Sequence, residues 1–168
     1  MIRGTTKIQK TCWIVFIVYL FAIFYFTIFA ESLGRVPGDV ISEPRYNLIP
    51  FAEIKRFIVY RRQLGMKAFM LNVVGNCIAF MPCGFLLPAV SRRCRKGVIC
   101  VLIGFFVSFF IECTQLIFRV GSFDVDDLLL NTLGVLLGFV INRSVQYYRI
   151  KQRKKLYPRE VNIRKVEK

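Results

Sequence analysis

Histidine is absent from this chain of 168 residues, and acidic side chains are scarce, 10 against 25 lysines and arginines. Without histidine there is no imidazole base for nucleophilic catalysis and none to complete a zinc site. Internal repeats and low-complexity linkers are missing too, which leaves one small domain. The most telling scarcity is local. Charge disappears from residues 12–30, 68–91 and 128–142, and within 97–118 only Glu112 is charged. With 55% hydrophobic residues and 17 phenylalanines, the chain is too apolar for a soluble domain of its size. A helix crossing ~30 Å of hydrocarbon needs roughly 20 residues. The first three runs suffice, and the fourth does so by reaching back to Val125, with Asp126 and Asp127 at the interface. The expectation is an all-α integral membrane protein with four transmembrane helices over about 12–30, 68–91, 97–118 and 125–142.

Arg3, Lys7 and Lys10 precede the first run as they would a signal peptide, but a run this long and aromatic reads as an uncleaved helix. Basic residues number three before it, seven in 31–67, four in 92–96, one at Arg119 and ten from Arg143 on. Placing both termini in the cytoplasm puts 17 of them inside and 8 outside, as the positive-inside rule requires. Residues 1–11 are then a cytoplasmic N-terminus, 12–142 the membrane domain and 143–168 a basic cytoplasmic tail. That tail suits anionic lipid rather than nucleic acid, since no folded basic domain accompanies it. The 6 cysteines (Cys12, Cys77, Cys83, Cys94, Cys100 and Cys113) avoid both outer loops, which excludes an exported disulfide framework. They read as small apolar packing residues.

The first outer loop changes character at Pro50, a residue suited to a first helical position. Phe51, Ile54, Phe57 and Ile58 share one face, with Glu53, Lys55, Arg56 and Arg62 largely off it. A short amphipathic helix on the outer membrane surface is expected, or an ordinary half-buried loop helix. Pro82 and Pro88 should kink the second span. Gly134 and Gly138 are spaced for close helix contact, a spacing also frequent by chance.

Polar side chains inside apolar runs carry the functional signal, because at membrane depth they face a partner or a cavity. Asn76 lies eight residues below the outer end of its span, Glu112 six and Asn131 seven, depths of roughly 9–12 Å at 1.5 Å per residue. Asn72 and Asn76 are four apart. Glu112, Gln115 and Arg119, and likewise Asp124, Asp127 and Asn131, follow three-and-four spacings that place each set on one stripe. Only a short turn separates the last two spans, so both stripes start at the same outer end. The pattern predicts one outward-open polar pocket with Glu112 as its deepest charge. The alternative is an internal hydrogen-bond network that fixes helix register. Asp126 is rotated about 100° from Asp127 and is expected to face solvent or head groups.

Four sequence pieces in order resemble the VanZ-like family of small membrane proteins: N-L-I-P-F at 47–51, N-C-I-A-F-M-P-C-G at 76–84, I-E-C-T-Q at 111–115 and G-S-F-D-V-D-D-L-L-L-N-T-L-G-V-L-L-G at 121–138. The resemblance singles out Asn47, Asn76, Glu112, Gln115, Asp124, Asp127 and Asn131. It implies a bacterial cell-envelope protein of the multi-pass membrane type, in a family whose founding members are linked to teicoplanin resistance. Some members have a further C-terminal hydrophobic segment where this chain has its basic tail.

Three functions compete. A binding protein would hold an anionic envelope component, such as a lipid-linked cell-wall precursor or a lipoglycopeptide. Lys55, Arg56, Arg61 and Arg62 would take its phosphate or carboxylate, and Glu112 with the amides its hydroxyls and amides. An intramembrane enzyme would use Glu112 as a catalytic general base, with Asp124 and Asp127 holding Mg²⁺ on a diphosphate. A proton-coupled carrier would use Glu112 alone, but four short helices are few for alternating access. Binding is the preferred reading, and it needs no cofactor.

Overall fold

The computed structural model describes residues 7–33, 46–60, 62, 66 and 70–156, and the structural statements below concern these. The principal helices are α1 (Lys7–Leu33), α2 (Ala52–Val59), α3 (Gly75–Val90), α4 (Gly97–Ile117) and α5 (Val125–Leu156). A π-helical turn (Met70–Val74) leads into α3, and a 3₁₀ turn (Arg93–Arg95) links α3 to α4. Two short strands, β1 (Tyr46–Asn47) and β2 (Phe123–Asp124), pair in parallel, Tyr46 beside Phe123 and Asn47 beside Asp124.

Four helices are long and apolar enough to cross a membrane, over Gln9–Ile28, Asn72–Val90, Gly97–Ile117 and Val125–Arg153. The all-α integral membrane architecture expected from the charge-poor runs is therefore present. One boundary differs. Helix α5 passes Arg143 without a break and continues to Leu156. Residues 143–156 contain no glycine or proline, so charge ends the membrane-compatible stretch while nothing ends the helix. Its 32 residues extend about 48 Å, well beyond ~30 Å of hydrocarbon. Pro50 also departs from expectation, since α2 begins at Ala52 after Phe51.

Helices α3 and α5 make the closest crossing. A Cβ built on Gly134 would stand 2.1 Å from the Cys77 carbonyl oxygen, one on Gly138 1.9 Å from that of Met81, and one on Gly84 1.9 Å from that of Val135. Backbone thus meets backbone at three levels, which only glycine allows. The Gly134/Gly138 spacing is the seam of the molecule. Val135, completely buried, fills the space beside Gly104 of α4. Phe80, Cys83, Leu87, Cys100 and Ile111 join it in the core, with Phe16 and Ile23 of α1.

Proline in α3 leaves a carbonyl without its usual helical donor. Pro88 cannot donate to Gly84, and the Cys100 thiol donates to that carbonyl instead, at 3.8 Å. Helix α1 attaches by side-chain bonds spread along its length. Gln9 Nε2 donates to the Val90 carbonyl at 2.9 Å, Tyr19 Oη to that of Ala79 at 2.8 Å. Gln115 Nε2 of α4 donates to the Thr27 carbonyl at 3.2 Å.

Candidate functional site

The polar residues gather at the end of the bundle where α4 stops, α5 starts and β1 returns. Asp124 organises this end. Its carboxylate accepts the Asp126 amide at 2.8 Å, capping the first turn of α5, and accepts Asn47 Nδ2 at 3.2 Å. The Asp124 amide donates to Glu112 Oε2 at 3.0 Å. Asn47 Oδ1 accepts the Ile49 amide at 3.2 Å, which shapes the turn into α2. Glu112, Asp124 and Asn47 therefore form one chain of hydrogen bonds spanning α4, β2 and β1.

Asp126 overturns the expectation made for it. It is 1% exposed, and its carboxylate receives three backbone amides from α2 and its N-terminal flank. Phe51 N–H donates to Oδ1, and Glu53 and Ile54 donate to Oδ2 at 2.8 and 3.1 Å. An anion at a helix N-terminus satisfies orphan donors and the helix dipole together. Phe51 adopts a left-handed conformation (φ 65°) at this junction, unusual for a bulky residue. What was missed is that the returning segment covers this face of α5.

The other expected residues meet in separate pairs. Asn76 Nδ2 donates to Asp127 Oδ1 at 2.5 Å, tying α3 to α5. Asn131 Nδ2 donates to Ser108 Oγ at 2.9 Å, tying α5 to α4. Gln115 reaches α1 through Thr27. Arg119 leaves its stripe. Helix α4 ends at Ile117, Arg119 turns left-handed (φ 53°), and Val120 and Arg119 donate to the Gln115 and Leu116 carbonyls at 3.0 and 3.2 Å. This Schellman cap leaves the Arg119 side chain exposed. Ser108 was legible, since 108, 112 and 115 continue the Glu112 stripe at the same spacing; Thr27 and Thr132 carried no such signal.

Electrostatics follow from burial. Asp124 is 7% exposed, and desolvation raises its pKa above the ordinary carboxylate value, with the Asp126 amide and Asn47 opposing and the Asp126 charge adding. Burial also raises Glu53, against the pull of Arg56 at 2.7 Å. Three buried oxygens, Gln115 Oε1, Asn131 Oδ1 and Thr132 Oγ1, have no hydrogen-bond partner among the described residues. Among those residues no group of three or more His, Cys, Asp or Glu side chains is arranged to hold a metal. Asp124 and Asp127, the expected Mg²⁺ pair, are engaged with different partners. A groove of about 420 Å³ runs between α1 and α4, lined by Ile17, Leu20, Phe24, Phe110 and Ile111 among others. Ile23 and Ile111 on its wall lie one helical turn from Thr27 and Gln115.

These features define a small all-α integral membrane protein with Glu112, Asp124, Asp126 and Asp127 collected at one end beside a returning loop helix. The chain belongs to the VanZ/LLP1 family, whose sequence profile matches residues 16–146 and so takes in β1, α2 and every residue of the acid-lined end. No curated protein sequence and no solved structure matches the chain.

Proposed function

We propose that this is a bacterial cell-envelope protein that binds an amphiphilic envelope component at its acid-lined end. Both termini lie in the cytoplasm and that end faces outward, as the distribution of basic residues favours. The supporting observation is two acceptors, Gln115 Oε1 and Asn131 Oδ1, that have no partner among the described residues, on residues 5% and 4% exposed. A buried acceptor left unpaired costs about 1–3 kcal/mol, a cost that a ligand hydroxyl or amide would relieve. The surrounding carboxylates add acceptors, so the layer suits a donor-rich head such as a sugar or peptide. Lys55 and Arg62, exposed on and just beyond α2, would meet a phosphate or carboxylate at the rim. The apolar groove one turn below would take the hydrocarbon chain. A lipid-linked cell-wall precursor has all three parts, and a lipoglycopeptide of the teicoplanin type shares them.

The test uses full-length protein in nanodiscs and a radiolabelled polyprenyl-diphosphate-linked sugar. Saturable binding is expected, with the ligand recovered unchanged. Glu112→Gln keeps an acceptor for the Asp124 amide and should weaken binding about tenfold through the lost charge. Binding no greater than to empty nanodiscs would overturn the proposal. Conversion of the ligand, abolished by Glu112→Gln, would replace it with the enzyme reading and Glu112 as general base.

A further inference from the structure

Residues 46–59 are fastened to the bundle at their N-terminal half. There β1 pairs with β2, Asn47 bonds Asp124, and the amides of Phe51, Glu53 and Ile54 converge on Asp126. At the C-terminal end of α2 the apolar side chains turn outward: Ile58 is 51% and Val59 61% exposed. Asp124 and Asp126 stand at the first turn of α5, a position open to solvent in most helices, yet they are 7% and 1% exposed. The returning segment is what covers them, and Asp124 in turn covers Glu112 through its amide bond. Both Asp126 oxygens are needed, one for Phe51 and the other for Glu53 and Ile54.

We propose that residues 46–59 are a latched cover over the acid-lined end, with the Asp126 carboxylate as the latch, so that a ligand reaches Glu112 and Asn131 when the latch is open. The idea rests on the binding reading above. Asp126 is a positioning residue: its carboxylate is spent on the cover and not on the ligand. An asparagine there would keep one acceptor and turn an NH₂ group toward the remaining amide donors. A glutamate would keep both oxygens on a longer stem.

Hydrogen exchange on the full chain in nanodiscs tests the latch without any ligand. In the wild type the Phe51, Glu53 and Ile54 amides should be protected. Asp126→Asn should speed their exchange about tenfold or more while α3 and α5 amides and the melting temperature hold. Asp126→Glu should restore part of the protection. With the labelled polyprenyl-diphosphate sugar, Asp126→Asn should raise association and dissociation rates together, whereas simple damage to the site would raise dissociation alone. Unprotected amides in the wild type, exchange unmoved by Asp126→Asn, or a uniform loss of protection across the bundle would each overturn the latch. A normal exchange pattern with no ligand binding would sink the binding reading and leave the latch standing as a structural clasp. Ligand binding with unmoved exchange would do the reverse.

Discussion

Helices α1 and α5 sit at opposite ends of two scales. The α1 span has the higher mean hydropathy, 2.3 against 1.6, yet 11% of it is buried in the protein against 39% for α5. In water the order would be reversed, since apolar surface is driven inward. In lipid the tails are as apolar as leucine, and association depends on close packing and polar bonds. Helix α5 supplies both, with Gly134 and Gly138 against α3 and with Asp127 and Asn131 bonded to Asn76 and Ser108. Helix α1 has phenylalanines and isoleucines directed at lipid: Phe21 is 73% and Ile14 63% exposed. Hydrophobicity marks both helices as membrane spans, and small and polar residues decide which of them builds the protein.

The largest test of this contrast is Gly138→Val. The new side chain meets the Met81 backbone, which cannot move aside as a side chain would, and the loss should be about 3 kcal/mol or more. Thermal unfolding in detergent should show it, while Ile14→Leu on α1 should fall within about 0.5 kcal/mol. Equal effects from the two would erase the distinction between seam and lipid face. Next comes Glu112→Ala, which strips the buried Asp124 amide of its acceptor and should cost about 1–3 kcal/mol; Glu112→Gln should cost little, and a loss as large as alanine's would show that charge holds this end together.

Smaller again is a pH effect. The folded pKa of Asp124 is raised by burial, so the folded state holds its proton to higher pH than the unfolded state. Stability from this group is therefore greatest below its unfolded value and declines as pH rises from there through the raised value. The melting temperature of Asp124→Asn should decline less over that interval than the wild type's, and parallel curves would refute the assignment. The smallest effect is expected on α1. Tyr19→Phe removes its bond to the Ala79 carbonyl and should cost about 0.6 kcal/mol, the usual size of an interhelical hydrogen bond in a membrane. A loss of several times that would mean that α1 is a structural member after all.

Charge-poor runs made the four spans legible, because excluding charge from hydrocarbon is a condition met residue by residue. The Asn76–Asp127 and Glu112–Asp124 meetings were legible in part, as polar residues at matched depth on the right stripes. Asp126 was not. Its burial comes from a segment about 75 residues earlier in the chain, and no local periodicity reports what lies across from a helix end. The strand pair is two residues long on each side and has no pattern to read. Arg119 was misplaced because a left-handed cap on a non-glycine residue ended the helix before it, and glycine is the residue that usually marks such a turn.

The seam between α3 and α5 also sets an order of events during synthesis. Cys77 and Met81 leave the ribosome more than fifty residues before Gly134 and Gly138, with all of α4 made in between. For that interval α3 resides in the bilayer with the Asn76 amide and the Gly84 surface still waiting for α5, while the α1 partners on α3, the Ala79 and Val90 carbonyls, are already in place. The glycine seam itself is thus a late closure, made when the fourth span arrives. A chain stalled before residue 125 would leave three inserted helices without that seam, and Asn76 and Ser108 without their partners on α5.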